Sequence, residues 1–225
     1  MTVNMPSVFG EPGRPSSVGY DLGSIFKPVC VRREFNAWSG GRSSPIVNSL
    51  RALARHARAA CGGTGAGAVG MCFTGGYALA MMTEPAVVAP VLSQPSMPFA
   101  TGTGIDASGQ EIACARRRFE EEGLSMTGIR FKSDKLVPEA HFAAYRREFG
   151  DQFEAIELED ADAAESRRPH HSVLTFHLKE DGPSKSGRTA RNCVPQAANR
   201  GLTTCGQAGE AECRLRPESS YSGGR

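Results

Sequence analysis

The chain has 225 residues, of which 40% are hydrophobic and 22% charged, the size and composition of a single globular α/β domain. Its formal net charge of +2, with arginines spread along the chain, does not indicate a nucleic-acid partner. No apolar run approaches the roughly 20 residues of a membrane span, and no signal-peptide pattern opens the chain, so we expect no membrane partner. Seven cysteines, without a Cys-x-x-Cys pair, argue against a zinc ribbon or a disulfide framework and favour the reducing cytoplasm.

The first third of the chain predicts two strands with a helix between them. The strands are expected over residues 2–6 and 66–71. Ser44 suits a helix N-cap, Pro45 suits the first turn, and apolar residues then recur at helical spacing until Gly62 ends the pattern. This alternation is typical of a sheet built from parallel strands.

The remainder continues the alternation and then loses it. The predicted elements are a helix over 73–82, a strand over 87–93, a helix over 107–122, a strand over 124–131, a helix over 138–149 and a strand over 153–158. From residue 181 to 225 the chain is rich in Gly, Ser, Arg, Thr and Pro, without an apolar period. We therefore expect one domain over 1–180, a mostly parallel sheet flanked by helices, followed by a disordered tail over 181–225.

The most specific motif is Gly-Ala-Gly-Ala-Val-Gly-Met-Cys-Phe-Thr-Gly-Gly at residues 65–76. An apolar strand, a reactive side chain between glycines and a following helix are the layout of a nucleophile elbow. The motif places Cys72 at a helix N-terminus, where backbone N–H groups favour the thiolate. A buried structural cysteine at a glycine-rich strand end is the alternative interpretation.

Two further segments supply the partners that such a nucleophile needs, in the order nucleophile, acid, base. Asp134 follows an apolar strand, at the end of a parallel sheet where sites form. His171 precedes an apolar segment, where we expect the last helix to begin, and His170 is the alternative base. Taken singly, Asp134 could be a turn residue and the histidine pair a solvated turn.

Residues 1–178 resemble the dienelactone hydrolase family, a branch of the α/β-hydrolases with a cysteine nucleophile. The resemblance rests on Val-Gly-Met-Cys-Phe-Thr-Gly-Gly-Tyr-Ala-Leu-Ala-Met, Ala-Pro-Val-Leu-Ser-Gln-Pro-Ser, Arg-Phe-x-x-Asp-x-Leu-Val-Pro and His-Ser-Val-Leu-Thr. It implies the α/β-hydrolase fold, with Cys72 as nucleophile, Asp134 as acid and His171 as base. Thr74 stands where better-known members have a glycine.

The resemblance implies hydrolysis of a small ester or lactone through a thioester intermediate, without a cofactor or metal. The backbone N–H of Phe73, directly after the nucleophile, would bind the oxyanion. Relatives bind a substrate carboxylate with arginine, a role for which Arg33 is the candidate, with Arg32 and Arg42 as alternatives. We expect a monomer or a weak homodimer.

Two alternatives compete with an active hydrolase. In the family, three strands precede the one expected at 2–6, and a loop among them supplies a second oxyanion donor, which implies a truncated and catalytically weak or inactive remnant. A metal-binding protein using His170, His171 and His177 is the other alternative, although these histidines lack the spacing of a known metal site.

Overall fold

The computed structural model describes residues 2–8, 17, 19–20, 23, 43–97, 104–166 and 168–179. The tail expected to be disordered, 181–225, lies outside the described residues. So do the three arginines proposed to bind substrate, Arg32, Arg33 and Arg42. Within the described ranges, none of the helices combines the length and the apolar character that crossing a membrane requires.

Four parallel strands of the described residues form one sheet in the order β1-β2-β3-β4. The strands are β1 (Ala66–Met71), β2 (Val87–Ser93), β3 (Met126–Phe131) and β4 (Phe153–Leu158). Because the strands are parallel, every carboxyl end lies at the same edge of the sheet. Because chain order equals sheet order, the loops that follow consecutive strands are neighbours there. The expectation of a parallel α/β sheet flanked by helices is confirmed.

In the part of the described chain between residues 43 and 166, four α-helices accompany the sheet: α1 (Pro45–Cys61), α2 (Tyr77–Ala80), α3 (Gly109–Glu122) and α4 (Glu139–Phe149). Capping residues determine where the helices α1 and α3 begin and end. Ser108 and Glu111 form a reciprocal capping box at the start of α3, and Gly123 ends it in the left-handed conformation at φ 65°. Proline in the first turn begins α1, and Gly62 at φ 70° ends it.

Two hydrophobic clusters lie on opposite faces of the sheet, because neighbouring strand residues point to opposite sides. Leu92 belongs to the larger cluster, which includes residues of all four helices, and Val91 belongs to the smaller one. The smaller cluster joins Ile129 and Phe131 of β3 to Val173, which is fully buried. The segment after β4 is therefore anchored against the sheet close to the ends of its strands.

Three sequence expectations about local structure are wrong. Residues 2–6 form no strand, and Val3 and Met5 in that segment are exposed. The helix expected over 73–82 is broken into a 3-10 turn over Cys72–Thr74, the short α2, and a second 3-10 turn over Met81–Thr83. A tight elbow shortens its first turn to i→i+3 bonding, which explains the break.

The third departure is at His171, where no helix begins. Hydrogen-bonded turns occupy 173–177 instead, with the N–H groups of Thr175 and His177 both donating to Ser172 O. A cysteine in the core also differs from the expectation of no disulfide framework, since Cys114 on α3 is disulfide-bonded. Periodicity could not distinguish the anchored turn from a helix, because both bury apolar residues at similar spacing.

Candidate active site

The turn after β1 has the strained backbone of a nucleophile elbow. Cys72 has φ 52°, a left-handed conformation that non-glycine residues rarely adopt. A Cβ at Gly70 would lie 2.4 Å from the carbonyl oxygen of Thr74, and one at Gly75 would lie 2.4 Å from Cα of Pro95. Only glycine therefore fits on either side of the cysteine, which explains the spacing seen in the sequence.

Thr74, which stands at a glycine position of the resembling family, closes this turn with its side chain. Its hydroxyl donates to Met71 O at 3.0 Å and accepts from Met71 N–H at 3.4 Å. The residue before the cysteine is thus tied to the residue two positions after it. The Thr74 hydroxyl therefore closes the turn that carries Cys72.

The loop after β2 contributes a buried hydroxyl to the same place. Ser96 is fully buried, and its Oγ lies 3.6 Å from Cys72 Sγ. The Ser96 N–H donates to Cys72 O at 3.1 Å, which fixes the two residues side by side. This loop leaves β2 through Gln94, a second buried non-glycine residue with positive φ, at 37°. Two adjacent strands thus end in strained residues at one edge of the sheet, a common property of functional sites.

Asp134 lies in the loop after β3, where the sequence predicts it. Its N–H donates to Phe131 O at 3.2 Å, and its Oδ1 accepts the N–H of Leu136 at 2.9 Å. It is therefore a turn residue, as the alternative interpretation holds. Its second oxygen, Oδ2, lies 2.6 Å from Nδ1 of His171. One carboxylate thus makes its own turn and orients an imidazole.

His171 is the histidine that meets this carboxylate, and His170 is not. His170 Nδ1 lies 3.1 Å from Asp160 Oδ1, beyond β4, so the two neighbouring rings have different acidic partners. The bond to Asp134 assigns a proton to Nδ1 of His171 and leaves Nε2 as the nitrogen available to interact with Cys72. Among the described residues Nε2 is buried without a hydrogen-bond partner of good geometry. Hydrogen bonds between catalytic groups are often long or poorly aligned before substrate binds.

The sulfur and the imidazole change each other's protonation. Burial alone would raise the pKa of the Cys72 thiol, but His171, with smaller contributions from Ser96 and the backbone N–H of Phe73, lowers it below its ordinary 9.0. Burial acts to lower the pKa of His171, but Asp134 and Cys72 raise it to about 9. A thiolate–imidazolium pair is the protonation state that both shifts favour.

The structure thus brings together Cys72, Asp134 and His171, with the Phe73 amide next to the sulfur. Two residues near this centre, Ser96 and His177, had no role in hydrolysis assigned from the sequence. Ser96 stands in the motif Ala-Pro-Val-Leu-Ser-Gln-Pro-Ser, but a serine after a strand carries no distinctive signal. His177, considered only as a metal ligand, accepts hydrogen bonds from the backbone around His171.

Within the described part of the chain, no group of three or more His, Cys, Asp or Glu side chains is arranged to hold a metal ion. The three histidines near the carboxyl edge instead contact protein groups: an acid for His170, another acid for His171, and backbone amides for His177. The arrangement can hold a nucleophilic sulfur, a proton-transferring ring and an orienting carboxylate in a row.

Compared with models of protein families, with curated proteins and with solved structures, the chain matches none. What the site can do follows from its own geometry.

Proposed function

We propose that this chain is a hydrolase of small esters or lactones, of the dienelactone hydrolase type within the α/β-hydrolases, using Cys72, His171 and Asp134. The single observation that carries the proposal is that the carboxylate of Asp134 binds the ring of His171, and that this ring lowers the pKa of a cysteine with strained backbone at a strand end. A structural cysteine needs neither a strained backbone nor a buried imidazole beside it.

The first half of the reaction uses the resting ion pair. The Cys72 thiolate attacks the substrate carbonyl carbon and forms a tetrahedral intermediate, whose oxyanion accepts the N–H of Phe73. As the C–O bond of the ester breaks, the leaving oxygen takes the proton from Nε2 of His171. The products of this half are a thioester on Cys72 and an alcohol, which stays tethered to the acyl group when the substrate is a lactone.

The second half regenerates the enzyme. His171, now neutral, takes a proton from water, and the resulting hydroxide attacks the thioester carbonyl. The C–S bond breaks, the carboxylic acid departs, and Cys72 leaves as a thiolate beside the imidazolium. Asp134 keeps the ring in one tautomer throughout and is not itself protonated.

Mass spectrometry of the protein incubated with p-nitrophenyl acetate tests this proposal. We expect release of p-nitrophenol together with an acetyl group that tandem mass spectrometry locates on Cys72. Cys72→Ala abolishes both signals, and Cys61→Ser, which removes the other free described thiol, changes neither. Unchanged p-nitrophenol release by Cys72→Ala would contradict the proposal.

A weakly active or inactive hydrolase is the second candidate. It is favoured because the Phe73 amide lies beside the sulfur, whereas the second oxyanion donor of the resembling family comes from a segment that this sequence does not match. Losing one oxyanion donor typically costs about 10²–10³ in rate. Under this alternative the acetyl thioester accumulates after a single burst, whereas an effective enzyme turns it over.

A further inference from the structure

A third histidine lies directly behind the segment that carries His171. His177 is 2% exposed, and its Nδ1 accepts two backbone N–H groups, that of Ser172 at 3.1 Å and that of His171 itself at 3.4 Å. The proposed base is thus held through its own main chain by the ring of another histidine.

The rest of His177 is fixed as firmly as its ring. Its N–H donates to Ser172 O at 3.0 Å, and its carbonyl accepts the N–H of Ala164 at 3.1 Å. The ring packs edge-on against Phe131 of β3, with centroids 6.0 Å apart, and against His170, with centroids 5.2 Å apart. The turn carrying His171 is therefore attached to the sheet through His177.

Two N–H donors on one ring nitrogen determine the protonation of that ring. A nitrogen that accepts must offer its lone pair, so Nδ1 of His177 carries no proton, and the ring is neutral with its proton on Nε2. A proton added to Nδ1 would replace an acceptor with a donor that faces two other donors. Protonation of His177 would therefore cost both hydrogen bonds to the backbone of His171 and Ser172.

We propose that His177 is a positioning residue that holds the backbone of His171 in place between Asp134 and Cys72, and that a proton on Nδ1 of His177 releases it. Its effect on turnover rests on the hydrolase proposed above, whereas its effect on the Cys72 thiolate does not. Small displacements of a reacting group are costly, since about 1 Å can reduce a rate roughly 10²-fold.

The charged and titratable groups around His177 favour its neutral form. Burial, followed by the charge of His170, lowers the pKa of His177 below its ordinary 6.5, and the charges of His171 and Arg168 act in the same direction. The backbone of Arg168 opposes them.

The acids that face this cluster contact its other histidines. Asp160, from the loop after β4, binds His170, and Asp134, from the loop after β3, binds His171, while the strand packed on the ring presents Phe131. Because the folded pKa of His177 is lowered, its neutral acceptor persists above pH 6.5 and is lost as the pH falls through that lowered pKa.

Alkylation of Cys72 by iodoacetamide, followed from acid to alkaline pH by tandem mass spectrometry, tests the inference without requiring turnover. Two variants separate the acceptor from the proton. In His177→Asn, Oδ1 occupies the position of Nδ1 and accepts without titrating, whereas His177→Leu fills the space and accepts nothing. His56→Asn, at an exposed position on α1, is the control.

We expect the alkylation rate of Cys72 in the unmodified protein to fall with acid more steeply than a single-proton curve, since both the thiol and His177 titrate. His177→Asn should reduce the fall to a single-proton curve and retain the rate at neutral pH. His177→Leu should move the curve to higher pH and lower esterase turnover about 10²-fold. His56→Asn should match the unmodified protein.

The inference is overturned if His177→Leu keeps the alkylation curve of the unmodified protein while remaining folded by thermal melting. If His177→Leu does not fold, His177→Asn decides, and an acid limb as steep as that of the unmodified protein overturns the inference. An effect on alkylation in a protein without turnover would refute the proposed hydrolase and leave the role of His177 standing.

Discussion

At the scale of single residues, the site depends on side chains such as Asp134 that stabilise their own turn and also bind another residue of the site. Asp134 closes its own turn with Oδ1 and binds His171 with Oδ2. The elbow spacing around Cys72, which is a local signal, and the order of nucleophile, acid and base along the chain predicted that three residues would meet, and the structure brings these three side chains together. Sequence order could not predict Ser96, because the contact with Cys72 joins two loops that only the sheet brings together.

Replacing Asp134 with asparagine should lower esterase turnover by a factor on the order of 10³–10⁴, because an amide no longer holds His171 in the productive tautomer. The pKa of His171 should fall from about 9, because the hydrogen bond and the charge of Asp134 raise it. A proton NMR titration of the His171 ring measures this fall. Asp160→Asn, which removes the acid beside His170, is the matched control and should leave His171 unchanged.

Ser96→Ala should raise the pKa of Cys72, because the serine hydroxyl is one of the groups that lower it. The measurement is the pH dependence of iodoacetamide alkylation at Cys72. Ser93→Ala is the control, since Ser93 is equally buried at the end of β2, three residues before Ser96, but its hydroxyl donates to Gln94. Equal shifts in the two variants would contradict a direct role for Ser96.

At the scale of elements, sequence periodicity predicted the strands and longer helices well, within about two residues at each end. The start of α1 and the whole of β2 lie where the sequence predicts them. The prediction of a continuous helix after Cys72 was wrong because the elbow imposes tight turns that override helical propensity. The prediction of a strand over 2–6 was wrong because two alternating apolar residues are a weak signal, and Val3 and Met5 are exposed rather than packed against a sheet.

The substitution Gly75→Ala tests how tightly the turn after β1 packs against the loop after β2. The added Cβ would meet the backbone of Pro95, so we expect a loss of about 1–3 kcal/mol in the free energy of unfolding, measured in urea. Gly109→Ala is the control, because open space surrounds that position on α3 and the substitution should stabilise by about 0.4–1 kcal/mol. A neutral Gly75→Ala would mean that the turn is looser than described.

At the scale of the whole molecule, a parallel sheet accounts for how residues far apart in sequence meet. The loops after β1, β2 and β3 supply Cys72, Ser96 and Asp134, and the segment after β4 returns with His171. Ion pairs keep the sheet and its helices in register. Glu157 on β4 binds Arg130 on β3 through Oε1, at 2.9 Å from Nε, and Arg146 on α4 through Oε2 at 2.5 Å.

Glu157→Gln should lower the free energy of unfolding by about 1–3 kcal/mol at neutral pH, because two arginines lose a charged acceptor. Burial would raise the pKa of Glu157, but Arg130 and Arg146 lower it below 4.5. The stabilisation is therefore present above pH 4.5 and lost as the pH falls through the lowered pKa.

Thermal melting from neutral pH down to about pH 3 measures this loss, which should be smaller in Glu157→Gln than in the unmodified protein. Glu159→Gln is the control, since the Lys132–Glu159 pair is about half exposed on both sides and should contribute little. An acid transition of equal size in Glu157→Gln would contradict the linkage.

The central claim is that His171 keeps the Cys72 sulfur as a thiolate, and comparing alkylation of Cys72 with that of the exposed free thiol Cys61 across pH tests it most directly. In the unmodified protein Cys72 should keep reacting to lower pH than this reference thiol. In His171→Ala the lowering of the Cys72 pKa by His171 is lost, and the reaction of Cys72 should require a more alkaline pH than in the unmodified protein. Curves for Cys72 that coincide with and without His171 would contradict the account.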